Sequence, residues 1–330
     1  MRTASGFDIG AIESDDLDGI IPLLKACYGR RAEPLEWWRW YHFGNPTART
    51  VFLVARSGGR IVGMQPMAIA PARRGHERVT GGMLSGAMVH PEHRGKGVFR
   101  SLVEVCCATA WEQGLAWLAT MPNDTSLRAF RAMGWTDPGE RALLVRPIMV
   151  ARSVNPSREH TVSEVAHYHE TLDDVLRSDG LPSGWAGFDR NTRWLNWRFG
   201  RNPLRSYRRL FCRHDETPAG YAVTTTARVR GVNVGFFMDF WATGDEAAVA
   251  LGRASIWRLA MEGARLAVTV VSSPKSIEQY RMFGFIPWPR KLSPKRFHFA
   301  FVSNPTAAPG TEIPVSISRW HLSLGDWDGL

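Results

Sequence analysis

The chain has 330 residues, 44% of them hydrophobic, and a formal net charge of +10. That length and apolar content suffice for a large buried core and point to two domains rather than one, and the dispersed glycine and proline argue against disorder away from the termini. No stretch approaches the roughly 18 uninterrupted apolar residues of a membrane span, and no signal-peptide core follows residues 1–6, so the expectation is a soluble, cytoplasmic protein.

In chain order, apolar positions over 8–28 contain a helical segment introduced by Ser14, Asp15 and Asp16, a capping sequence. An aromatic run, Trp37 to Phe43, follows Pro34. Strands over 51–56 and 60–68 are joined by Ser57, Gly58 and Gly59, a hairpin signal. A third strand ends at Val89. Next come a glycine-rich basic turn, a helix over 98–113, a buried strand over 115–120, a short helix over 126–133 and a closing strand over 142–150. The order describes an α/β fold with a mixed sheet flanked by helices.

The turn between Val89 and Val98 carries the strongest chemical signal. Pro91 ends the strand because it lacks an N–H donor. Gly95 and Gly97 allow the loop to curl so that successive backbone N–H groups converge just before a helix begins. The helix N-terminus adds roughly half a positive charge, and Arg94, Lys96 and Arg100 add whole ones, which makes an anion seat. Neither Gly-x-x-x-x-Gly-Lys-Ser/Thr nor Gly-x-Gly-x-x-Gly with its acidic partner occurs.

Arg94, Gly95, Lys96, Gly97 and Val98 do fit Arg/Gln-x-x-Gly-x-Gly/Ala, and there the chain resembles the GNAT superfamily of acyl-CoA-dependent N-acyltransferases. Phe99 stands where that signature ends in a small residue. The resemblance implies that main-chain amides over 94–99 grip the pyrophosphate of coenzyme A. It further implies that Met88 and Val89 offer backbone contacts to the pantetheine arm, and that Asn123 and Ser126 supply polar ones. Asn123 and Ser126 also read as helix caps. Many members carry a tyrosine acid four residues before the glycine at Gly134; this chain has Phe130. A coenzyme A thiolate is a tolerable leaving group near neutral pH without one.

An internal repeat sets the domain organisation. Trp37, Trp40, Asn45, Pro46 and Gly63 are matched at one constant offset by Trp194, Trp197, Asn202, Pro203 and Gly220, and Phe130, Met133, Gly134 and Trp135 by Tyr280, Phe283, Gly284 and Phe285. The reading is two tandem GNAT-like domains, 1–150 and 151–330, with a linker over 150–156. The second copy has a helix near Val175, strands over 207–223 and 232–241, and a helix over 245–263. In place of the basic loop it has Asp245 and Glu246, whose charge repels phosphate. The second domain is then degenerate, contributing structure and a surface for the acceptor. The aromatic runs sit at helical spacing in both copies and read as core.

For a proton acceptor the nearest group is His90, by proximity and ordinary pKa; Asp239 in the second copy is a weaker candidate. Cys27, Cys106, Cys107 and Cys212 have no disulfide or metal spacing, and no metal is expected. The function implied is transfer of an acyl group, acetyl first, from acyl-CoA to a primary amine, with nucleotide-linked amino sugars leading the acceptor classes. The alternatives are a non-catalytic acyl-CoA sensor, mycothiol-synthase-like chemistry with the working site in the second copy, and, given the charge, nucleic-acid binding without a recognisable motif.

Overall fold

A computed structural model describes residues 6–149, 159–179, 181–293, 295–306 and 313–327. The first half runs β1 (Asp8–Ile12), α1 (Ile21–Tyr28), α2 (Leu35–Phe43), β2 (Arg49–Ser57), β3 (Arg60–Arg74), β4 (Glu77–Leu84), β5 (Met88–Val89), α3 (Val98–Glu112), β6 (Trp117–Thr120) and α4 (Asp124–Ala132). Then follow β7 (Ala142–Pro147), β8 (His160–Glu164), α5 (Thr171–Asp179), β9 (Ala186–Phe188), α6 (Thr192–Gly200), β10 (Arg208–His214), β11 (Thr217–Val229) and β12 (Val232–Ala242). The chain continues through α7 (Asp245–Met261), β13 (Leu266–Val271), α8 (Pro274–Met282), β14 (Ile286–Pro287), β15 (Ala300–Ser303) and β16 (Trp320–His321). Among the described residues no helix is long and apolar enough to cross a membrane.

The repeat is visible in the backbone. The helices α2 and α6 begin and end at equivalent residues, and the β2–β3 hairpin breaks register between Ala55 and Arg56 as β10–β11 does between Cys212 and Arg213. Gly63 lies opposite Ala55 and Gly220 opposite Cys212. A Cβ on Gly63 would lie 2.6 Å from Val98 Cγ1, and one on Gly220 would lie 2.6 Å from the Trp241 carbonyl. Asn45 accepts from the Thr47 N–H and Asn202 from those of Leu204 and Arg205, so both asparagines close a turn after the aromatic helix. Close packing and turn geometry thus account for the matched glycine and asparagine.

The chain forms two compact units, Met1–Pro138 with His298–Val315 and Gly139–Phe297 with Ser316–Leu330. The units do not follow a division at 150/151. β7, expected to close the first sheet, pairs antiparallel with β13 in the second unit, Leu144 opposite Thr269. β15, from the C-terminal part of the chain, pairs antiparallel with β6 in the first, Phe301 opposite Ala119. Short apolar strands carry no mark of the sheet they join, so local pattern alone left this exchange undetermined. The linker expected over 150–156 lies outside the described residues.

In the first unit the sheet order is β1-β2-β3-β4-β6-β15, with β5 beside β3. The helical segment expected within 8–28 begins at Ser14 as a 3-10 turn over Ser14–Ile20 and continues as α1, and ahead of it β1 pairs with β2. Glu13 holds the cap position without a side-chain bond, while Asp15 and Asp16 fall in the first turn. One face of the sheet packs Leu53, Met67, Leu84 and Leu118 against Val98, Leu102 and Cys106 of α3. The other packs Phe52, Val54, Met64 and Met88 against Leu23, Leu24, Trp37 and Trp38 of α1 and α2. Trp37 and Trp38 are buried, so the aromatic run belongs to the core.

Candidate active site

The stretch expected to seat an anion is a loop of eight residues, 90–97, between β5 and α3. Gly95 has φ +74 and Gly97 φ +81, and Gly97 is the cap residue of α3 with no side chain bonded across the helix start. The first intrahelical bond runs from the Ser101 N–H to the Gly97 carbonyl, 3.0 Å. The N–H groups of Val98, Phe99 and Arg100 precede it and have no partner within the helix. A Cβ at Gly95 would meet nothing within 4 Å. Arg94 and Lys96 are exposed, and Arg100 pairs with Glu104 at 2.9 Å. A diphosphate suits these donors and charges.

Beside this loop the sheet splits. β4 and β6 pair in parallel from Gly81 opposite Trp117 to Leu84 opposite Thr120, where Thr120 Oγ1 donates to the Leu84 carbonyl at 3.1 Å. After Leu84 the strand bulges through Ser85, Gly86 and Ala87, and β5 resumes against β3. The His90 N–H donates to the Val62 carbonyl, 2.8 Å, and antiparallel pairs alternate between bonded and unbonded. Met64 with Met88 is therefore a bonded pair, and Gly63 with Val89 an unbonded one whose polar groups point away from β3. Of the two residues expected to contact a pantetheine arm, Met88 spends its backbone on the ladder and Val89 presents its own outward. The Val89 carbonyl receives Arg94 Nε at 3.3 Å and Cys27 Sγ at 3.5 Å, which leaves its N–H as the group on offer.

Asn123 and Ser126 form a reciprocal capping box at the start of α4. Asn123 Oδ1 accepts from the N–H groups of Thr125 (3.0 Å) and Ser126 (2.9 Å), and Ser126 Oγ accepts from the Asn123 N–H at 3.0 Å. Only Asn123 Nδ2 remains outside that box. Phe99 turns its ring edge-on to Phe130, 5.3 Å between centroids, and joins the core, so a large residue at the signature's last position leaves the loop open. Phe130 is buried against Trp135.

His90 lies beside the loop as expected, but its Nδ1 accepts from the Glu92 N–H at 3.3 Å and caps the short turn Pro91–His93. In the neutral ring that bond places the proton on Nε2 and engages the lone pair a base would use. The cysteines carry no activated thiol: burial raises Cys27, and pushes Cys107 and Cys212 up to about 11. Glu159, His160 and Glu246 bring ligand-type atoms within 4.8 Å of one another, a grouping that exposed carboxylates also form without an ion.

The second unit repeats this frame without the seat. β12 and β13 pair in parallel to Phe236 and Val268, and Thr269 Oγ1 donates to the Phe237 carbonyl as Thr120 does to Leu84. Only Thr243 and Gly244 separate β12 from α7, too few to build an N–H cradle, and Gly244 is extended at φ −160. Asp245 and Glu246 occupy the first helical turn. The strand ends are also filled. The Leu322 N–H donates to Ser272 Oγ at 2.9 Å, and a Cβ on Gly325 would lie 3.1 Å from the Met238 carbonyl, so residues 320–327 lie where β12 and β13 part. Arg190 holds them there, bonding Asp326 at 2.6 Å and Asp239 at 2.8 Å with all three side chains buried. Asp239 is thus locked in an ion pair.

Residues 8–137 match the family described as Acetyltransferase (GNAT) domain, and the mixed α/β fold of the chain is like that of tandem GNAT structures. Among solved structures it is similar to a GCN5-related N-acetyltransferase from Anabaena variabilis, at 15% identity over 89% of this chain and 72% of that one, TM-score 0.66. A tandem GNAT protein from the clavulanic acid biosynthesis pathway matches 92% of this chain and 100% of its own at 14% identity, TM-score 0.61. N-myristoyltransferase of Saccharomyces cerevisiae, solved with bound myristoyl-CoA, matches 97% and 85% at 11% identity, TM-score 0.61. At these identities the likeness is one of fold. Among curated proteins no match is found.

Two residues at the bulge, Gln65 and His42, escaped the sequence reading, as did the place there of Trp38, read only as core. Gln65, buried, donates from Nε2 to the carbonyls of Pro66 (2.9 Å) and Ser85 (3.3 Å). On the opposite face Trp38 and His42, stacked on each other, turn ring-edge atoms towards Gly86. A glutamine inside an otherwise apolar strand, and a histidine four residues after a tryptophan on a buried helix face, were the available signals.

Proposed function

We propose that the chain transfers an acyl group, acetyl foremost, from acyl-CoA to a primary amine by direct attack in a ternary complex. The observation that carries this reading is the left-handed Gly97 before an uncapped α3, opening beside the split between β4 and β6, while the equivalent place in the second copy is extended, acidic and filled. Bound acyl-CoA supplies a thioester whose carbonyl carbon accepts the amine nitrogen as the C–S bond breaks and the thiolate leaves. The loop over 94–99 holds the diphosphate through main-chain N–H groups, aided by the charge of Arg94, Lys96 and Arg100. The Val89 N–H polarises the carbonyl, and Asn123 Nδ2 contacts the arm. Phe130 offers no acid, and a thiolate of ordinary thiol acidity leaves without one. The amine's proton passes to ordered water, with His90 acting as a cap.

A nucleotide-linked amino sugar leads the acceptor classes, because the arginine excess suits a second diphosphate. Calorimetric titration with acetyl-CoA, followed by a free-thiol assay over amino sugars, arylamines and peptide N-termini, tests the whole reading. One acetyl-CoA per chain and thiol release with an amine are expected. Binding without release would mark a sensor, two sites per chain would overturn the single-seat reading, and salt-sensitive DNA binding without affinity for acetyl-CoA would overturn it altogether.

A further inference from the structure

The bulge at Ser85, Gly86 and Ala87 is what parts the strands of the first unit, and it is held from both faces. From one side Gln65 bonds the Ser85 carbonyl. On the other, Gly86 at φ +67 faces two stacked rings: a Cβ there would press on Trp38 Cζ3 at 2.9 Å and reach ordinary contact with His42 Nε2 at 3.6 Å. Trp38 and His42 are stacked at 5.3 Å and 18°, and Phe52 and Tyr41 meet the imidazole edge-on at 5.1 and 4.9 Å.

His42 is 2% exposed, and neither ring nitrogen has a hydrogen-bond partner among the described residues. Burying two unpartnered polar atoms in an aromatic sandwich opposes folding, and stability alone favours phenylalanine at this position. A phenyl ring reaches farther than an imidazole, however, and would press on a glycine that has no side chain to yield. The five-membered ring puts a nitrogen corner towards Gly86 and leaves the room that a phenyl ring would fill.

Resting on the acyltransferase reading above, we propose that His42 is a positioning residue of the acyl-transfer site, acting through Gly86 to fix the bulge that aims the Val89 N–H at the thioester. The ring stays uncharged throughout the physiological range, since burial holds its pKa far below the ordinary value. A charged ring would demand water and undo the seat.

The test compares His42→Phe, which keeps the stacking, with His42→Gln, which restores a polar atom near the place of Nε2. Thermal unfolding, calorimetry with acetyl-CoA and the free-thiol assay with the best amine are measured on each. For His42→Phe we expect a melting temperature at or above that of the parent, acetyl-CoA affinity within about threefold, and kcat lower by about tenfold or more, because loss confined to kcat marks an interaction made in the transition state. His42→Gln should recover most of that kcat. The spectroscopic signature is displacement of the Gly86 to Val89 amide resonances in His42→Phe, with those of α4 unmoved. A folded His42→Phe protein with parental kcat, or one whose kcat falls only in step with its melting temperature, would overturn the assignment. Failure of the parent chain to bind acetyl-CoA would instead bring down the acyltransferase reading, and this inference with it.

Discussion

Gly97 and Gly244 stand at the same point of the repeat, each the cap residue of the helix after the split strand, yet their φ angles are +81 and −160. The left-handed turn at Gly97 exposes the N–H groups of α3, and the extended one at Gly244 runs straight into Asp245 and Glu246. One sequence position thus separates a helix start that can seat an anion from one that repels it.

Gly97→Trp should fill the seat and abolish measurable acetyl-CoA binding. A non-glycine residue in that conformation costs about 1–2 kcal/mol, so the variant should remain folded with a modestly lower melting temperature. Calorimetry checks it: unchanged affinity in a folded Gly97→Trp protein would remove the loop from the cofactor site.

His90→Ala should leave kcat within about threefold of the parent, because Nδ1 serves the Glu92 N–H and a cap of this kind contributes about 1 kcal/mol to stability. The free-thiol assay over a range of pH decides it. A loss of two orders of magnitude in a folded variant would make His90 the base.

The tandem fold, the glycine turn before α3 and the acids of the second copy were legible because each depends on local chemistry: glycines and cations before a helix, or matched tryptophans at one offset. The exchange of β7 and β15 was not, since Leu144 and Phe301 look alike to any apolar sheet edge. Nor was the filling of the second groove, because Ser323 to Trp327 reads as a tail until Arg190 is seen to reach Asp326. The roles of Gln65 and His42 stayed hidden for the same reason. Each looks like an error in an apolar pattern until the bulge it supports is in view.

Gly63→Ala and Gly220→Ala test the repeat as packing. Overfilling a close contact costs about 1–3 kcal/mol, and Gly220→Ala should sit at the upper end because its obstruction is the Trp241 carbonyl, which cannot rotate away. Gly63→Ala pushes on Val98 at the start of α3, so it alone should also weaken acetyl-CoA binding. Denaturant unfolding and calorimetry on both variants separate the two effects; equal loss of affinity would deny the link from Gly63 to the seat.

His42 makes stability fall in acid. Burial lowers its pKa from 6.5 to about 3, so below pH 6.5 the unfolded chain takes up a proton that the folded one refuses. Stability should therefore decline by about 1.4 kcal/mol per pH unit from this group between pH 6.5 and 3, and be unaffected above. The rings around it, Trp37, Trp38, Tyr41 and Phe52, carry no charge to offset this. His42→Phe should flatten that limb in urea unfolding measured from pH 7 to 4; parallel curves for parent and variant would show that the ring is reached by solvent.

Arg190→Met should be the most damaging substitution in the second unit. Arg190 neutralises Asp239 and Asp326 together, each side chain 6% exposed or less, and its guanidinium also lies 4.4 Å over the Trp194 ring. Removing the cation leaves two carboxylates buried side by side, and breaking a buried pair in this way costs about 3–5 kcal/mol. Replacing both acids as well, in Arg190→Met with Asp239→Asn and Asp326→Asn, should recover much of that loss, because the penalty belongs to the orphaned charges and the cavity can be filled by neutral groups. Guanidinium unfolding of the single and triple variants measures the difference. A triple variant no more stable than the single one would show that Arg190 acts through its packing on Trp194 instead.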